Sequence, residues 1–226
     1  MGVSAESSRR TGAPAPASPP VPRTAHPSRI DPERWANGGG WTRTLLAWPD
    51  PARWVARVSV ADVERAGPFS VFPGIDRWFA VLEGDGVRLA TAGRAPVAVR
   101  AGAAEMHAFR GEDATDCELL GSATRDLNIM VRRGAARATV RPLRDGELRS
   151  NAALLGCFVC GAAELRVAHR DAPGEPAQSL SLGARAPLAL TSHTLAWLEN
   201  PASETVAVQL ALPAPHGWWI EVRTGP

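Results

Sequence analysis

Several stretches of this sequence alternate polar and apolar residues in a way that could hold a charged ligand. In "WVARVSV", Arg57 and Ser59 fall on one face of an extended chain and Val58 and Val60 on the other, because successive strand side chains point to opposite sides. In "DLNIMV", Asp126, Asn128 and Met130 share a face, with Leu127 and Ile129 opposite. "FPGIDR" sets Asp76 beside Arg77 after a glycine turn, which suits an ion pair within the turn or a ligand contact equally. A guanidinium can hold a carboxylate through two parallel hydrogen bonds. Arg57 and Arg77, with Ser59 and Asn128, therefore suit an anionic metabolite. Phe69, Phe72 and Phe109 could wall a flat ligand, although core packing is the commoner fate of a phenylalanine. Asp126 and Asp76 are the carboxylates placed for general-base chemistry, should the same pocket be an active site.

A polar sheet face usually meets water. In a small closed barrel one face points into the lumen instead, and a polar lumen is a pocket. The run "WANGGGWTR" bears on that choice. Gly38, Gly39 and Gly40 can take conformations closed to other residues and allow close approach. With Asn37 they would form a rim whose backbone N–H groups face an anion. Thr42 and Ser70 complete the candidate ligand-binding set.

Other reactive residues point elsewhere. Cys157 and Cys160 have a Cys-x-x-Cys spacing, but no second pair completes a zinc site. They lie in a strand-like run, where positions three apart face opposite ways, so buried structural thiols are expected. His169, His193 and His216 are dispersed. All 25 basic residues are arginine, so Schiff-base or lysine general-base chemistry has no residue to perform it.

The elements that must position these residues read as short strands. "TRTLLAW", "WVARVSV", "WFAVLE", "GVRLATA", "APVAVRA", "DCELLG", "DLNIMVR" and "ARATVRPL" follow one another at sandwich or barrel spacing. Only "VADVERAG" looks helical. After Pro142 the pattern restarts, and "LLGCFVCGAAELRV" echoes "WFAVLEGDGVRL", hinting at an internal repeat of about 110 residues. Trp218 and Trp219 are expected to cover a core edge or a subunit contact. Residues 1–28, rich in Pro, Ala and Ser, read as a disordered tail.

Net charge is +2, too little for a nucleic-acid or membrane electrostatic footprint. An odd complement of three cysteines argues against a secreted disulfide scaffold. The N-terminus has no apolar core of the signal-peptide kind, and no apolar run approaches transmembrane length. A cytoplasmic protein is expected.

The segments "WANGGGWTR", "ARVSVADVERAGPFSVFPGIDR", "VLEGDGVRL" and "RDLNIM", in this order and spacing, resemble the HutD/Ves family of cupin-like proteins, linked to histidine utilisation in bacteria. The resemblance is strong over residues 34–133 and faint after 150. It implies an all-β bicupin: a first cupin-like barrel over 29–142 and a second, degenerate one over 143–226, behind the disordered tail. Two departures stand out. Ala36 replaces a lysine usual in the family, and Ala56 an aromatic residue before Arg57. Metal-binding cupins place an acidic ligand seven positions before the glycine that is here Gly84, and Arg77 occupies that slot. No His pair precedes it, and His107 alone lies near the last ligand position. A metal-free pocket without a cofactor is therefore expected. The ligand implied is urocanate or an N-formimino- or N-formyl-glutamate, bound in a sensing or governing role. A homodimer is expected from barrel edges and from Trp218 and Trp219.

Overall fold

A computed structural model describes residues 21–170, 180–181, 186–200, 204–214 and 216–225. The first half carries β1 (Arg23–Ala25), β2 (Glu33–Arg34), β3 (Gly40–Trp48), β4 (Ala56–Val63), β5 (Gly67–Pro68), β6 (Ile75–Glu83), β7 (Val87–Thr91), β8 (Val97–Val99), β9 (His107–Arg110), β10 (Thr115–Leu119) and β11 (Thr124–Arg132). The second carries β12 (Ala136–Pro142), β13 (Gly146–Ser150), β14 (Leu154–Val159), β15 (Ala163–Arg170), β16 (Leu180–Ser181), β17 (Leu188–Leu190), β18 (Thr194–Glu199), β19 (Val206–Ala211) and β20 (Gly217–Thr224). Among the described residues the one helical element is a 3-10 turn at Pro27–Arg29.

Two sheets close the first barrel, a six-stranded one in the order β2-β3-β4-β11-β6-β9 and a four-stranded one in the order β5-β10-β7-β8. The second barrel pairs a five-stranded sheet, β1-β18-β14-β20-β12, with the sheet β13-β19-β15-β16, where β17 also joins β15. The fold is the all-β bicupin that the strand pattern and the resemblance indicated. The echo between "WFAVLE" and "LLGCFV" has a structural counterpart. β6 is flanked by β9 and β11 as β14 is by β18 and β20. The two strands begin at Ile75 and Leu154, a shorter repeat than expected.

Alternation explains the packing. On the six-stranded sheet Val58, Val60, Leu127, Ile129 and Val131 face the second barrel and meet Leu154, Phe158, Trp218 and Ile220 there. Val63, Phe79 and Val81 face the other way and pack with Val87, Leu89, Val99 and Cys117. β14 is buried at every position, so Leu155, Cys157 and Val159 join a third core with Leu165, Val208, Leu210 and Trp219. Each large apolar side chain buried this way contributes about 1.5–3 kcal/mol. The second lumen is filled by this third core, whereas part of the first remains open.

Four expectations are corrected. "VADVERAG" is strand β4 and its exit, because Val58, Val60 and Val63 pack on two sheet faces and Asp62 pairs across strands with Arg43 and Arg125. Trp218 and Trp219 cover no edge: they are 1% and 5% exposed, inside different cores, so they offer no pairing surface for a homodimer. The disordered-tail reading lies outside the described residues up to position 20, but Arg23–Ala25 pairs as β1 with β18. β12, which ends where the second barrel was expected to begin, already belongs to the second barrel's sheet through β20. Among the described residues no helix is long and apolar enough to cross a membrane.

Candidate functional site

The open part of the first barrel is a cavity of about 330 Å³. Its floor is the inward face of the six-stranded sheet. Met130 of β11 pairs with Arg57 on one side and Arg77 on the other. One step along that face, Asn128 pairs with Ser59 and Phe79; a further step brings Asp126 between Ala61 and Val81. β3 adds Thr42 beside Ala61. Phe69, Ser70 and Phe72, between β5 and β6, form one wall, and Glu33, Trp35, Ala36 and Asn37 form another. The strand parity read from the sequence thus assembles Arg57, Ser59, Asp126 and Asn128 around one space.

Arg77 is 7% exposed and, among the described residues, has no carboxylate partner. Its Nε and Nη2 donate to Asn128 Oδ1 at 3.4 Å, and Nη1 donates to the Ser70 carbonyl at 3.3 Å. These are long bonds. The guanidinium carbon lies 4.7 Å from the ring centre of Phe109, 5.3 Å from Phe69 and 5.6 Å from Phe72, within cation–π range. Burial, and then the charge of Arg57, lower its pKa to about 10. Arg57 is lowered too, by burial, with Glu33 at the mouth opposing. Its Nε is buried without a hydrogen-bond partner among the described residues. Two partly desolvated cations facing one space are costly unless an anion joins them.

Asp126 is fully buried. Its Oδ2 accepts from Thr124 Oγ1 at 3.0 Å, while Oδ1 has no partner among the described residues. Burial pushes its pKa up to about 8; Thr124 opposes the rise and the charge of Asp62 adds to it. Asp62, facing the other side of the sheet, shows the contrast. Burial would raise it, but hydrogen bonds from Arg43 and Arg125 more than offset that and hold its carboxyl low.

Not every expected residue reaches the cavity. Asp76 does not: strand alternation turns it away from Arg77, and it pairs with Arg133 at 2.6 Å. Phe109 is 5% exposed and backs Arg77 from behind rather than lining the space. The glycine run is no anion nest, and none of its three residues lines the cavity. The N–H of Gly38 donates to the Trp35 carbonyl and that of Gly39 to Asn37 Oδ1, so neither is free for a ligand. The Gly38 carbonyl is clamped by Arg34 and Arg65 at 2.7 and 2.6 Å. Thr42, which lines the cavity, accepts from Trp35 Nε1 at 2.7 Å.

Glu33 and Trp35 were missed in the sequence. A two-residue strand such as β2 leaves no periodic signal, and only the aromatic next to "ANGGG" hinted at a rim. Cys157 lies in the third core and Cys160 packs against the first, on opposite faces as expected. Burial pushes both thiols up to about 12. His107 stacks on Phe109 with ring centres 5.6 Å apart. Among the described residues no group of three or more His, Cys, Asp or Glu is placed to hold a metal ion. The side chain of His169 lies outside the described residues.

The sequence model of the HutD family matches residues 28–213. An uncharacterised 21.2 kDa protein from the hutC 3' region of Pseudomonas putida is 39% identical over 100 residues, covering 42% of this chain and 50% of that protein. Protein Ves of Citrobacter koseri is 34% identical over 111 residues, covering 47% and 56%. The chain thus spans about half the length of these curated relatives. A crystal structure of a conserved protein of unknown function from Pseudomonas aeruginosa superposes with a TM-score of 0.72 at 26% identity, covering 91% of this chain and all of that one. The oxalate decarboxylase of Lactobacillus farciminis, in a formate complex, shares the fold at TM-score 0.58 and 9% identity, covering 90% and 86%.

Proposed function

The chain belongs to the HutD family, which is linked to the histidine-utilisation locus, and from that premise we propose that it is a cytoplasmic binding protein for a small carboxylate metabolite. It senses or governs histidine catabolism rather than sustaining fast turnover. One observation carries this reading. Arg57 and Arg77 face one cavity, both partly stripped of water, and among the described residues neither pairs with a carboxylate. A ligand carboxylate bound between them would restore the missing charge through strong, charge-assisted hydrogen bonds. The cavity is at the small end of the range for metabolite sites. The phenylalanines around Arg77 suit a flat or aliphatic body.

Candidate ligands are urocanate and N-formimino- or N-formyl-glutamate. A second reading, an enzyme that hydrolyses or isomerises one of them, rests on Asp126 alone. A carboxyl group that titrates near neutrality inside a pocket has the proton affinity a general acid or base needs. Asp76 drops out of that reading because Arg133 holds it outside the cavity.

Thermal-shift and calorimetric titration with these three acids tests the proposal, since a ligand that binds only the folded state raises its melting temperature. A concentration-dependent rise with at least one acid, lost in Arg57→Met, is the expected result. No shift with any of them, or an unchanged shift in Arg57→Met, overturns it. Analysis of the recovered ligand separates binding from turnover.

A further inference from the structure

The end of the cavity away from the arginines holds a second polar group whose chemistry is unmet. Asp126 stands two register steps along the same face from the Arg57–Met130–Arg77 row. Four residues of strand place those rows about 13 Å apart at the backbone. The arginine side chains take up part of that length, leaving room for one ring or a short chain. Oδ2 is occupied by Thr124, and Oδ1, fully buried, has no partner among the described residues. Ala61, Val63 and Phe79 line the cavity around it. The titratable groups near enough to influence it are Asp62 and the Cys117 thiol, and neither is a cation. An unpartnered buried carboxyl oxygen forfeits a hydrogen bond it would make in water. Asp62 shows that the same sheet can supply arginines to an acid where one is to stay ionised.

We propose that Asp126 is a second recognition point, and that the ligand is a carboxylate carrying a nitrogen with a lone pair, most simply a ring nitrogen, at its far end. The proposal rests on the anion reading at Arg57 and Arg77 and specifies what lies opposite. With Oδ2 accepting from Thr124, the carboxyl proton sits on Oδ1 and is donated to the nitrogen. If the nitrogen is basic enough the proton crosses: the O–H bond breaks, an N–H bond forms, and a carboxylate faces the new cation with no change in total charge. Asp126 is held protonated at neutral pH by its burial, which supports this arrangement. A second carboxylate at the far end would bury a negative charge beside Ala61, Val63 and Phe79, where no cation among the described residues acts on Asp126 to compensate it. A hydrocarbon end would leave Oδ1 unpaired, and a site built for a hydrogen bond discriminates strongly against the analogue lacking it.

Two acids of nearly the same shape test this. The imidazole and phenyl derivatives of trans-acrylic acid share a carboxylate and differ in the ring nitrogens. Isothermal titration of the full chain at pH 7 should find the imidazole acid tighter by about tenfold or more. Asp126→Val should abolish that preference while keeping the affinity for the phenyl acid. Asp126→Asn, nearly isosteric, reads the same preference should valine perturb folding, and should weaken it. Equal affinities in the wild type, or a preference that survives both substitutions, overturns the role of Asp126; if Arg57→Met still weakens both acids, the anion reading stands. If neither acid binds the wild type, this proposal falls; the anion reading falls with it only if the N-formimino- and N-formyl-glutamates also fail to bind.

Discussion

Arg57 and Arg77 stand on either side of Met130 in one row of the sheet, and among the described residues neither forms an ion pair. Replacing either with methionine keeps much of the bulk and removes the charge. Ligand affinity should fall by about 2–5 kcal/mol, because the anion loses one of its two charged partners in a partly desolvated site. Stability should hold, since each guanidinium is poorly solvated and props up no partner charge. Calorimetric titration beside denaturant unfolding of the same variant separates the two. An Arg77→Met protein that unfolds easily while its folded fraction binds normally would make Arg77 a structural residue of the phenylalanine box.

Asp126 should leave a mark on stability as a function of pH. Its pKa rises from 3.8 in the unfolded chain to about 8 in the fold. The folded protein therefore holds this proton more tightly, and the contribution is complete below pH 3.8 and lost as pH climbs through 8. Across that window the wild type should lose a few kcal/mol from this group, since each tenfold difference in proton affinity between fold and unfolded chain is worth roughly 1.4 kcal/mol. Asp126→Asn, always neutral, should not. Urea melts at several pH values, compared as wild type minus variant, read the difference directly. Parallel curves would mean that Asp126 stays ionised in the fold.

Asp62 acts in the opposite sense. Its pKa is depressed, so its contribution is present above the ordinary carboxylate range and is lost as pH falls through the folded value. The group is substantially solvent-screened, so Asp62→Asn should cost only about 1 kcal/mol at neutral pH. It should also lower the pKa of Asp126, whose rise Asp62's charge assists. The stability loss described above should then level off at a lower pH in Asp62→Asn. An unchanged end point would show that the charge of Asp62 does not reach Asp126.

The site was legible where one rule sufficed. Period-two alternation put Arg57 with Ser59 and Asp126 with Asn128, and β4 and β11 then paired so that the two stripes became neighbours. The same rule would have separated Asp76 from Arg77 had "IDR" been read as the start of β6 rather than as a turn. "VADVERAG" misled because Asp62, Glu64 and Arg65 carry no sign in the local sequence of the strand partners that engage them. Their partners are far away in the chain: Asp62 binds Arg43 and Arg125, and Glu64 binds Arg34. β20 was illegible for a different reason. "GWWIEV" is buried on both faces, so it carries no polar alternation to mark it as a strand. The proton on Asp126 could not be read at all, since it depends on how deeply the fold buries a side chain that chain order alone does not place.

The glycine run supplies the last prediction, because its three members do different work. Gly38 sits at φ +67°, where an added side chain is strained, and open space there is bounded only by the mobile ends of Arg34 and Arg65. Gly40 has no such dihedral demand, but a Cβ there would lie 2.3 Å from the Asp62 carbonyl oxygen, a backbone atom that cannot swing aside. Gly38→Ala should therefore cost about 1 kcal/mol. Gly40→Ala should cost more, about 2–3 kcal/mol, by prising β3 from β4 at the cavity's edge. Gly39→Ala meets only the Asn37 side chain, at 3.2 Å, and should be the mildest. Denaturant unfolding of the three variants checks the order. Binding measured on the same proteins adds a second criterion. Because none of the three glycines lines the cavity and the Gly39 N–H is engaged by Asn37, Gly39→Ala should leave carboxylate affinity nearly unchanged. A large loss of affinity in a stably folded Gly39→Ala would restore a direct role for the glycine backbone in holding the anion.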